Sequence, residues 1–94
     1  MKVVVSRRAE MDMVEIATWI AGDSPRAASR MINRLIAAAN GLSRYPLRYP
    51  TIGHGGLRKR PVGEYVLLYR VDDVVSIARI LHGARDWLSL LDEV

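Results

Sequence analysis

The residues Arg79–Asp86, RILHGARD, place one histidine, two arginines and one aspartate within eight positions. A histidine titrates near neutral pH, so such a cluster could carry out acid–base chemistry. The same residues could instead mark the point where a buried strand ends and the next element begins. The side of the predicted sheet that each residue faces decides between these two interpretations.

The first half of the chain predicts a strand and two helices. Val3–Val5 is a β-branched run typical of a strand, and Ser6 can cap a helix that begins near Arg7. Ser24 followed by Pro25 indicates the start of a second helix. The turn between the helices is short, so they should form an antiparallel hairpin. Their apolar seams comprise Ala9, Met13, Ile16 and Ile20 in the first helix and Ala28, Ile32, Leu35, Ala39 and Leu42 in the second.

The second half of the chain predicts a loop followed by β-strands. Tyr45–Gly56 combines prolines, glycines and tyrosines, as an ordered loop does. Leu57–Arg60 can form a short basic strand. The segments Glu64–Val71 and Val74–Leu81 flank Asp72-Asp73, which predicts a hairpin with a two-residue turn.

Pairing Val71 with Val74 assigns every side chain of this hairpin to one of two faces. One face carries two tyrosines with small residues and should receive the helices. The other has an apolar centre ringed by charges, which is typical of an interaction surface. The alternative is that the helices cover this second face and the arginines project from its edge. The first face comprises Tyr65, Leu67, Tyr69, Ser76, Ala78, Ile80 and His82, and the second comprises Glu64, Val66, Leu68, Arg70, Val75, Ile77, Arg79 and Leu81.

The alternation sends Arg79 and His82 to opposite faces, so RILHGARD is not expected to form a catalytic triad. We expect His82 to close the strand by hydrogen bonding to the backbone or to a carboxylate, with catalysis as the alternative. Gly83 should supply a turn or bulge, and Asp86 should cap a short C-terminal helix.

The length of the chain indicates a single domain over residues 1–94, and the predicted helices and strands make it an α+β domain. The chain carries a net charge of +4, and 12 of its 14 basic residues are arginines, which suit a partner bearing carboxylates or phosphates. It contains no cysteine, and its apolar runs are shorter than the roughly 20 residues that span a bilayer. His54 and His82 lie far apart in sequence without an acidic cluster, so we expect no metal and no cofactor. These features fit a cytoplasmic protein without membrane contact.

The helical pattern and the residue types also predict where two residues of the first helix lie. Asp12 falls outside the apolar seam, which predicts a surface position. Trp19 is expected in the core or in a dimer contact rather than in a ligand site.

Several short motifs occur in an order that resembles the RelE/ParE toxin superfamily, with the ParE-like branch as the closer match. The resemblance extends from about residue 3 to residue 88. The motifs are Ser-x-x-Ala at Ser6 and Ala9, Asp-x-Pro at Asp23 and Pro25, Gly56-Leu57-Arg58, Tyr69-Arg70-Val71, and Leu81-His82-Gly83 followed by Arg85-Asp86.

The resemblance implies a bacterial type II toxin that a cognate antitoxin neutralises in a hetero-oligomer. The family fold is a helical hairpin packed against a small, mostly antiparallel sheet. Family antitoxins wrap an acidic segment around the toxin, and a disordered segment could fold on the arginines. By this resemblance, the row Arg26, Arg30 and Arg34 is either a solvated helix face or a contact for acidic antitoxin or gyrase-held DNA.

The resemblance leaves two activities open. ParE-like members poison DNA gyrase, whereas RelE-like members cut mRNA on the ribosome. Nuclease members commonly carry an arginine where this chain has Val66, and the last residues here offer no tyrosine or histidine for proton transfer. Arg85 falls near the position of another nuclease arginine and is the single catalytic candidate.

We therefore expect a gyrase poison without catalytic activity of its own. A ribosome-dependent mRNA endoribonuclease is the alternative, and a basic nucleic-acid-binding module is the third possibility. The expected antitoxin- or target-binding residues are Arg58, Lys59, Arg60, Val66, Leu68, Arg70, Ile77, Arg79, Leu81, Arg85 and Trp87.

Overall fold

The computed structural model describes residues 1–84 and residue 89. Two helices pack on a four-stranded sheet whose strands, numbered along the chain, lie in the order first, fourth, third and second. The first and fourth strands are parallel, and the other neighbouring pairs are antiparallel. The predicted α+β fold is therefore confirmed. The predicted C-terminal helix, with its cap Asp86, lies outside the described residues. The elements are β1 (Val3–Val5), α1 (Arg7–Ala21), α2 (Pro25–Gly41), β2 (Arg58–Val62), β3 (Tyr65–Val71) and β4 (Val75–His82).

Both helices begin where their capping residues predict. The Ser6 hydroxyl accepts a hydrogen bond from the Ala9 amide at 3.0 Å, and the Ser24 hydroxyl accepts one from Ala27 at 3.1 Å. Each cap satisfies an amide that the helix itself leaves without a partner. The side chains that α1, α2 and the sheet bury together form the main core, whose fully buried members include Ala9, Leu35, Leu67, Tyr69, Val75 and Ile77.

The hairpin of β3 and β4 departs from the predicted register in two steps. Val71 pairs with Val75 rather than Val74, so the turn contains three residues. A β-bulge between Leu68 and Tyr69 then shifts the pairing by one further residue. Because each one-residue shift exchanges the faces of a strand, the second step restores the predicted partition beyond the bulge.

The shifted register makes part of the face assignment wrong. Val75 and Ile77 pack in the main core against the helices, whereas Ala78 lies in a second cluster. This second cluster joins Leu57, Val66, Leu68, Ala78 and Leu81, and Ile52 packs against it.

The predicted apolar interaction surface is therefore wrong as an exposed feature. Val66, Leu68, Ile77 and Leu81 are all at most 5% exposed. Leu57 and Ile52 pack with the side chains of this set that belong to the second cluster. Removing apolar surface from water in this way stabilises the fold by about 25 cal/mol for each Å² buried.

Arg79 pairs with Leu68 across the sheet, but it is buried rather than exposed to a partner as predicted. Its Nε and Nη2 atoms donate to the Asp12 carboxylate at 2.9 and 3.1 Å, and both side chains are nearly fully buried. The predicted surface position of Asp12 is wrong for the same reason.

Asp12 also completes the hydrogen bonding of β4 beyond the end of β1. The pairing of β1 with β4 stops at Val5 and Ile77. Past that point the Ser6 hydroxyl donates to the Ala78 carbonyl at 3.0 Å, and the Ile80 amide donates to Asp12 at 2.9 Å. Side chains from the start of α1 thus replace a longer first strand, which satisfies backbone groups that burial would otherwise penalise.

The outer side of β2 is bound by the preceding loop. The Lys59 amide donates to the Pro50 carbonyl at 3.1 Å, and Thr51 forms a bridge with Arg58. This pairing protects an edge strand that would otherwise present free backbone groups. Neither described helix is long and apolar enough to cross a lipid bilayer.

Candidate partner-binding surfaces

The segment from Arg26 to Val62 carries eight basic side chains and no carboxylate. We call the part of the molecule formed by these side chains the basic surface. It extends over α2, the loop of residues 42–57 and strand β2. Its members are Arg26, Arg30, Arg34, Arg44, Arg48, Arg58, Lys59 and Arg60.

Arginines of the sheet hold loop 42–57 in place. Arg58 Nη1 donates to the Tyr49 carbonyl at 2.6 Å, and Arg70 Nε donates to the Gly55 carbonyl at 2.7 Å. Arg60 Nη1 donates to the Tyr49 hydroxyl, and the guanidinium carbon of Arg60 lies 4.8 Å from the centre of the Tyr49 ring. All these acceptors are formally neutral, so the bonds orient the arginines without cancelling their charge.

Gly55 permits the approach of Arg70 to this loop. Its φ of +56° lies in the left-handed region, and a Cβ at this position would lie 2.9 Å from Arg70 Nη2. Any other residue would strain the backbone here, and its Cβ would displace the end of the Arg70 side chain. Gly55 therefore allows the Arg70 guanidinium to lie against the loop.

A cleft of about 320 Å³ lies between α2 and β2 within the basic surface. Arg34 and Arg60 both line it, and Arg60 Nε also donates to the Ala38 carbonyl at 3.4 Å. The remaining lining comes from Ala37, Ala38, Pro61 and Val62. Two guanidinium groups beside small apolar residues suit a carboxylate on a peptide, because they can bind it through paired hydrogen bonds.

The structure separates the predicted binding residues into two groups. Arg58, Lys59, Arg60 and Arg70 are half-buried around β2 and loop 42–57. The second group is buried and consists of Val66, Leu68, Ile77, Arg79 and Leu81. Arg85 and Trp87 lie outside the described residues. The binding roles of the first group stay predictions.

His82 has the contacts of a strand terminus. Its Nδ1 accepts a hydrogen bond from the Ala84 amide at 3.1 Å, and its Nε2 lies 3.8 Å from a Glu64 carboxylate oxygen. The Gly83 amide donates to the Glu64 carbonyl at 2.7 Å. The imidazole also meets the Tyr65 ring edge-on at 5.4 Å. These contacts fit the structural roles expected for His82 and Gly83.

The tyrosines of β3 are poorly suited to proton transfer. Burial raises the pKa of Tyr65, with a further contribution from Glu64, and burial also raises the pKa of Tyr69. The Tyr69 hydroxyl donates to the Pro46 carbonyl at 2.8 Å. Within residues 1–84 and at residue 89, no group of three or more histidine, cysteine or acidic side chains could hold a metal ion.

Trp19 lies on the surface, where its side chain is 81% exposed. The core position that was one of its two expected places is therefore wrong, and the other, a dimer contact, stays a prediction. Trp19 lines two clefts: one, of about 380 Å³, lies between α1 and the ends of β3 and β4, and the other, of about 590 Å³, lies along α1. The helical pattern of α1 could have indicated this position, because Trp19 stands next to Ile20 and outside the apolar seam.

Comparison with known proteins identifies the family. A family model described as the ParE toxin of type II toxin-antitoxin system, parDE, matches residues 3–87. The chain is 42% identical over 86 residues to Toxin RelE2 of Caulobacter vibrioides, covering 89% of this chain and 97% of that protein. It is 35% identical over 85 residues to Toxin RelE1 of the same organism, covering 86% and 91%.

Two solved structures share the fold of this chain. A chain of the chromosomal ParDE TA system from P. aeruginosa superposes with a TM-score of 0.77 at 17% identity, covering 87% of this chain and 95% of that one, and shows the shared fold. A chain of the toxin-antitoxin complex RelBE2 from Mycobacterium tuberculosis superposes with a TM-score of 0.64 at 28% identity, covering 86% and 95%.

The fold and these matches together define a toxin of a type II toxin–antitoxin system. Within that class, the chain belongs to the ParE toxin family.

Proposed function

We propose that this protein is a ParE-like poison of DNA gyrase that a cognate antitoxin silences in the cytoplasm. The observation that carries the proposal is the environment of Val66. Nuclease relatives are expected to carry an arginine at this position, whereas here a valine that is 5% exposed packs in the second apolar cluster. A buried valine cannot stabilise a scissile phosphate.

The tyrosines of β3 support the same proposal. Tyr65 and Tyr69 are buried in the main core, and the hydroxyl of Tyr69 is bound to the backbone. A general acid or base must reach the proton that it transfers, so the bound hydroxyl of Tyr69 is unsuited to RNA cleavage. A poison that acts by binding needs no such group.

Ribosome-dependent cleavage of mRNA is the second candidate. It is favoured by the names of the two Caulobacter vibrioides relatives, Toxin RelE2 and Toxin RelE1. The basic surface could also bind ribosomal or messenger RNA phosphates.

The antitoxin is proposed to bind the basic surface through an acidic segment. The cleft lined by Arg34 and Arg60 could hold one carboxylate of that segment, and the neighbouring arginines of α2 could attract the rest. Both solved neighbours belong to toxin–antitoxin systems, which supports an antitoxin partner.

A paired assay tests the function. Purified toxin is incubated with gyrase and plasmid DNA, and separately with translating ribosomes, each with and without the cognate antitoxin. We expect inhibited supercoiling and trapped gyrase–DNA cleavage, both abolished by antitoxin, with intact mRNA. Cleaved mRNA with unaffected gyrase would sink the proposal in favour of the second candidate.

A further inference from the structure

An exposed tryptophan is the least expected feature of this surface. Trp19 is 81% exposed near the end of α1, and Val14, five positions earlier, is 65% exposed. Tryptophan is among the residue types most enriched at binding hot spots, because its large ring buries much area with little loss of conformational freedom. The clefts on either side leave the indole projecting as a ridge that a partner could enclose.

The charges around Trp19 are opposite in sign to those of the basic surface. Residues 9–25 carry four carboxylates and no basic side chain. Asp12 is paired with Arg79, but Glu15 and Asp23 are exposed and line the clefts beside Trp19. We call the patch formed by Val14, Glu15, Thr18, Trp19 and Asp23 the Trp19 surface.

This charge distribution selects the kind of partner. Phosphates of DNA or RNA would be repelled by the Trp19 surface, and so would the acidic segment proposed for the antitoxin. A protein segment with an apolar side chain flanked by lysine or arginine would match both the indole and the carboxylates. The two surfaces of this small chain therefore suit two different partners.

We infer that the Trp19 surface is the docking site for the toxin's protein target, which engages it through a basic segment with an apolar anchor. The antitoxin binds elsewhere, on the basic surface. The inference rests on the proposed function in naming the target as gyrase, and it adds the part of the toxin that makes the contact.

Two variants and two matched controls test the docking site. Trp19→Ala removes the anchor, and Glu15→Lys reverses the charge beside it. Ile36→Ala removes an apolar side chain that is 44% exposed on the other helix, and Glu10→Lys reverses an exposed charge of α1 that lines neither cleft. Each full-length variant is assayed for growth arrest on induction, for affinity to purified gyrase and for affinity to purified antitoxin.

We expect Trp19→Ala to weaken gyrase binding by about 30-fold or more, the effect of truncating a hot spot, and to relieve growth arrest. Glu15→Lys should act in the same direction, because it places a cation against a basic partner. Antitoxin affinity should stay within about 3-fold of the parent for both variants, which also shows that they fold. The two controls should match the parent in all three assays.

Other results would contradict the docking site, the proposed target or both. Growth arrest and gyrase affinity unchanged in Trp19→Ala would overturn the docking site, as would a larger loss of antitoxin affinity than of gyrase affinity. If the parent protein arrests growth but does not bind gyrase, the proposed target fails; relief of arrest by Trp19→Ala would then still support the docking site for another target. A parent protein that arrests no growth would overturn both proposals.

Discussion

Arginine side chains form two contacts in this molecule, one between α1 and β4 and one between loop 42–57 and the strands β2 and β3. The two contacts differ in whether the arginine charge is neutralised. In the first, Arg79 donates two hydrogen bonds to the buried carboxylate of Asp12. In the second, Arg58 and Arg70 donate to backbone carbonyls of the loop. The carboxylate of Asp12 neutralises the charge of Arg79. The backbone carbonyls fix the orientation of Arg58 and Arg70 and leave their positive charges in place.

This difference bears on which arginines can serve a partner. A guanidinium that is paired and buried has no free donor geometry to offer and would lose its carboxylate if it moved. A half-buried guanidinium with a neutral acceptor keeps its long-range attraction for acidic groups. The antitoxin is therefore expected to be attracted by the loop-side arginines and not by Arg79.

The largest effect is expected from breaking the α1–β4 contact. Asp12→Ala should lower the free energy of unfolding by about 3–5 kcal/mol, because it leaves Arg79 buried without its carboxylate and takes the acceptor from the Ile80 amide. Urea denaturation of the purified protein measures the change.

A double variant and a surface control sharpen this test. Asp12→Leu combined with Arg79→Met should recover much of the loss, since apolar side chains of similar volume remove the charge as well as its partner. Glu15→Ala, an exposed acidic change on the same helix, should stay within about 0.5 kcal/mol of the parent. A loss below about 1 kcal/mol for Asp12→Ala would contradict the importance of the pair.

The next effect concerns binding on the basic surface rather than stability. Arg34→Glu should weaken antitoxin binding by about 2 kcal/mol or more, because it places a carboxylate in the cleft between α2 and β2. Isothermal titration calorimetry measures the affinity. Arg7→Glu reverses an exposed arginine outside the basic surface and serves as the control. Equal affinity for both variants would place the antitoxin elsewhere.

A smaller effect is expected from the tyrosine that fastens loop 42–57 to the sheet. Tyr69→Phe removes the hydrogen bond to the Pro46 carbonyl and should cost about 1 kcal/mol of stability. Because the pKa of Tyr69 is raised in the folded chain, the unfolded chain releases this proton first as the pH passes about 10.

The pH dependence gives this variant a second measurement. Stability of the parent protein should fall as the pH rises above about 10, toward the raised pKa of the folded chain, and Tyr69→Phe should show a shallower fall. Urea denaturation between neutral and strongly alkaline pH measures both slopes. Parallel slopes in the two proteins would show that Tyr69 does not carry this dependence.

The smallest effect is expected at Arg70. Arg70→Gln removes the bond to the Gly55 carbonyl and should change the free energy of unfolding by only about 0.5 kcal/mol, since a half-exposed bond is readily replaced by water. Loop 42–57 should nevertheless become easier to cut in limited proteolysis. Unchanged cleavage would show that the other anchors hold the loop alone.

The helices could be predicted from local sequence, but the sheet register could not. Helix starts are set by Ser6, Ser24 and Pro25, which act on residues at most a few positions away. A short stretch of sequence is therefore enough to predict where each helix begins. The register of the hairpin depends on a three-residue turn and on a bulge at Leu68/Tyr69, and neither leaves a pattern in the alternation of apolar side chains. The apolar residues of β4 fit either register, so both faces remained acceptable.

The site was harder to predict because its partners are distant in sequence. Asp12 looks like any polar residue of an amphipathic helix until Arg79 is placed beside it. The arginines around β2 were recognised as basic, but their acceptors are backbone carbonyls, which every residue possesses. Trp19 was expected in the core or in a dimer contact, and its helical position outside the apolar seam already favours the surface.

The arrangement of β1 and β4 sets a time order on the synthesis of this toxin. The first strand to be translated, Val3–Val5, pairs with Val75–Ile77. The carboxylate of Asp12 likewise pairs with Arg79, so both contacts require residues that are translated much later. A nascent chain that ends before β4 lacks the strand that lies between β1 and β3, so it cannot complete its main core. The protein can therefore become a folded toxin only after β4 has left the ribosome, a delay that the topology imposes without any added control element.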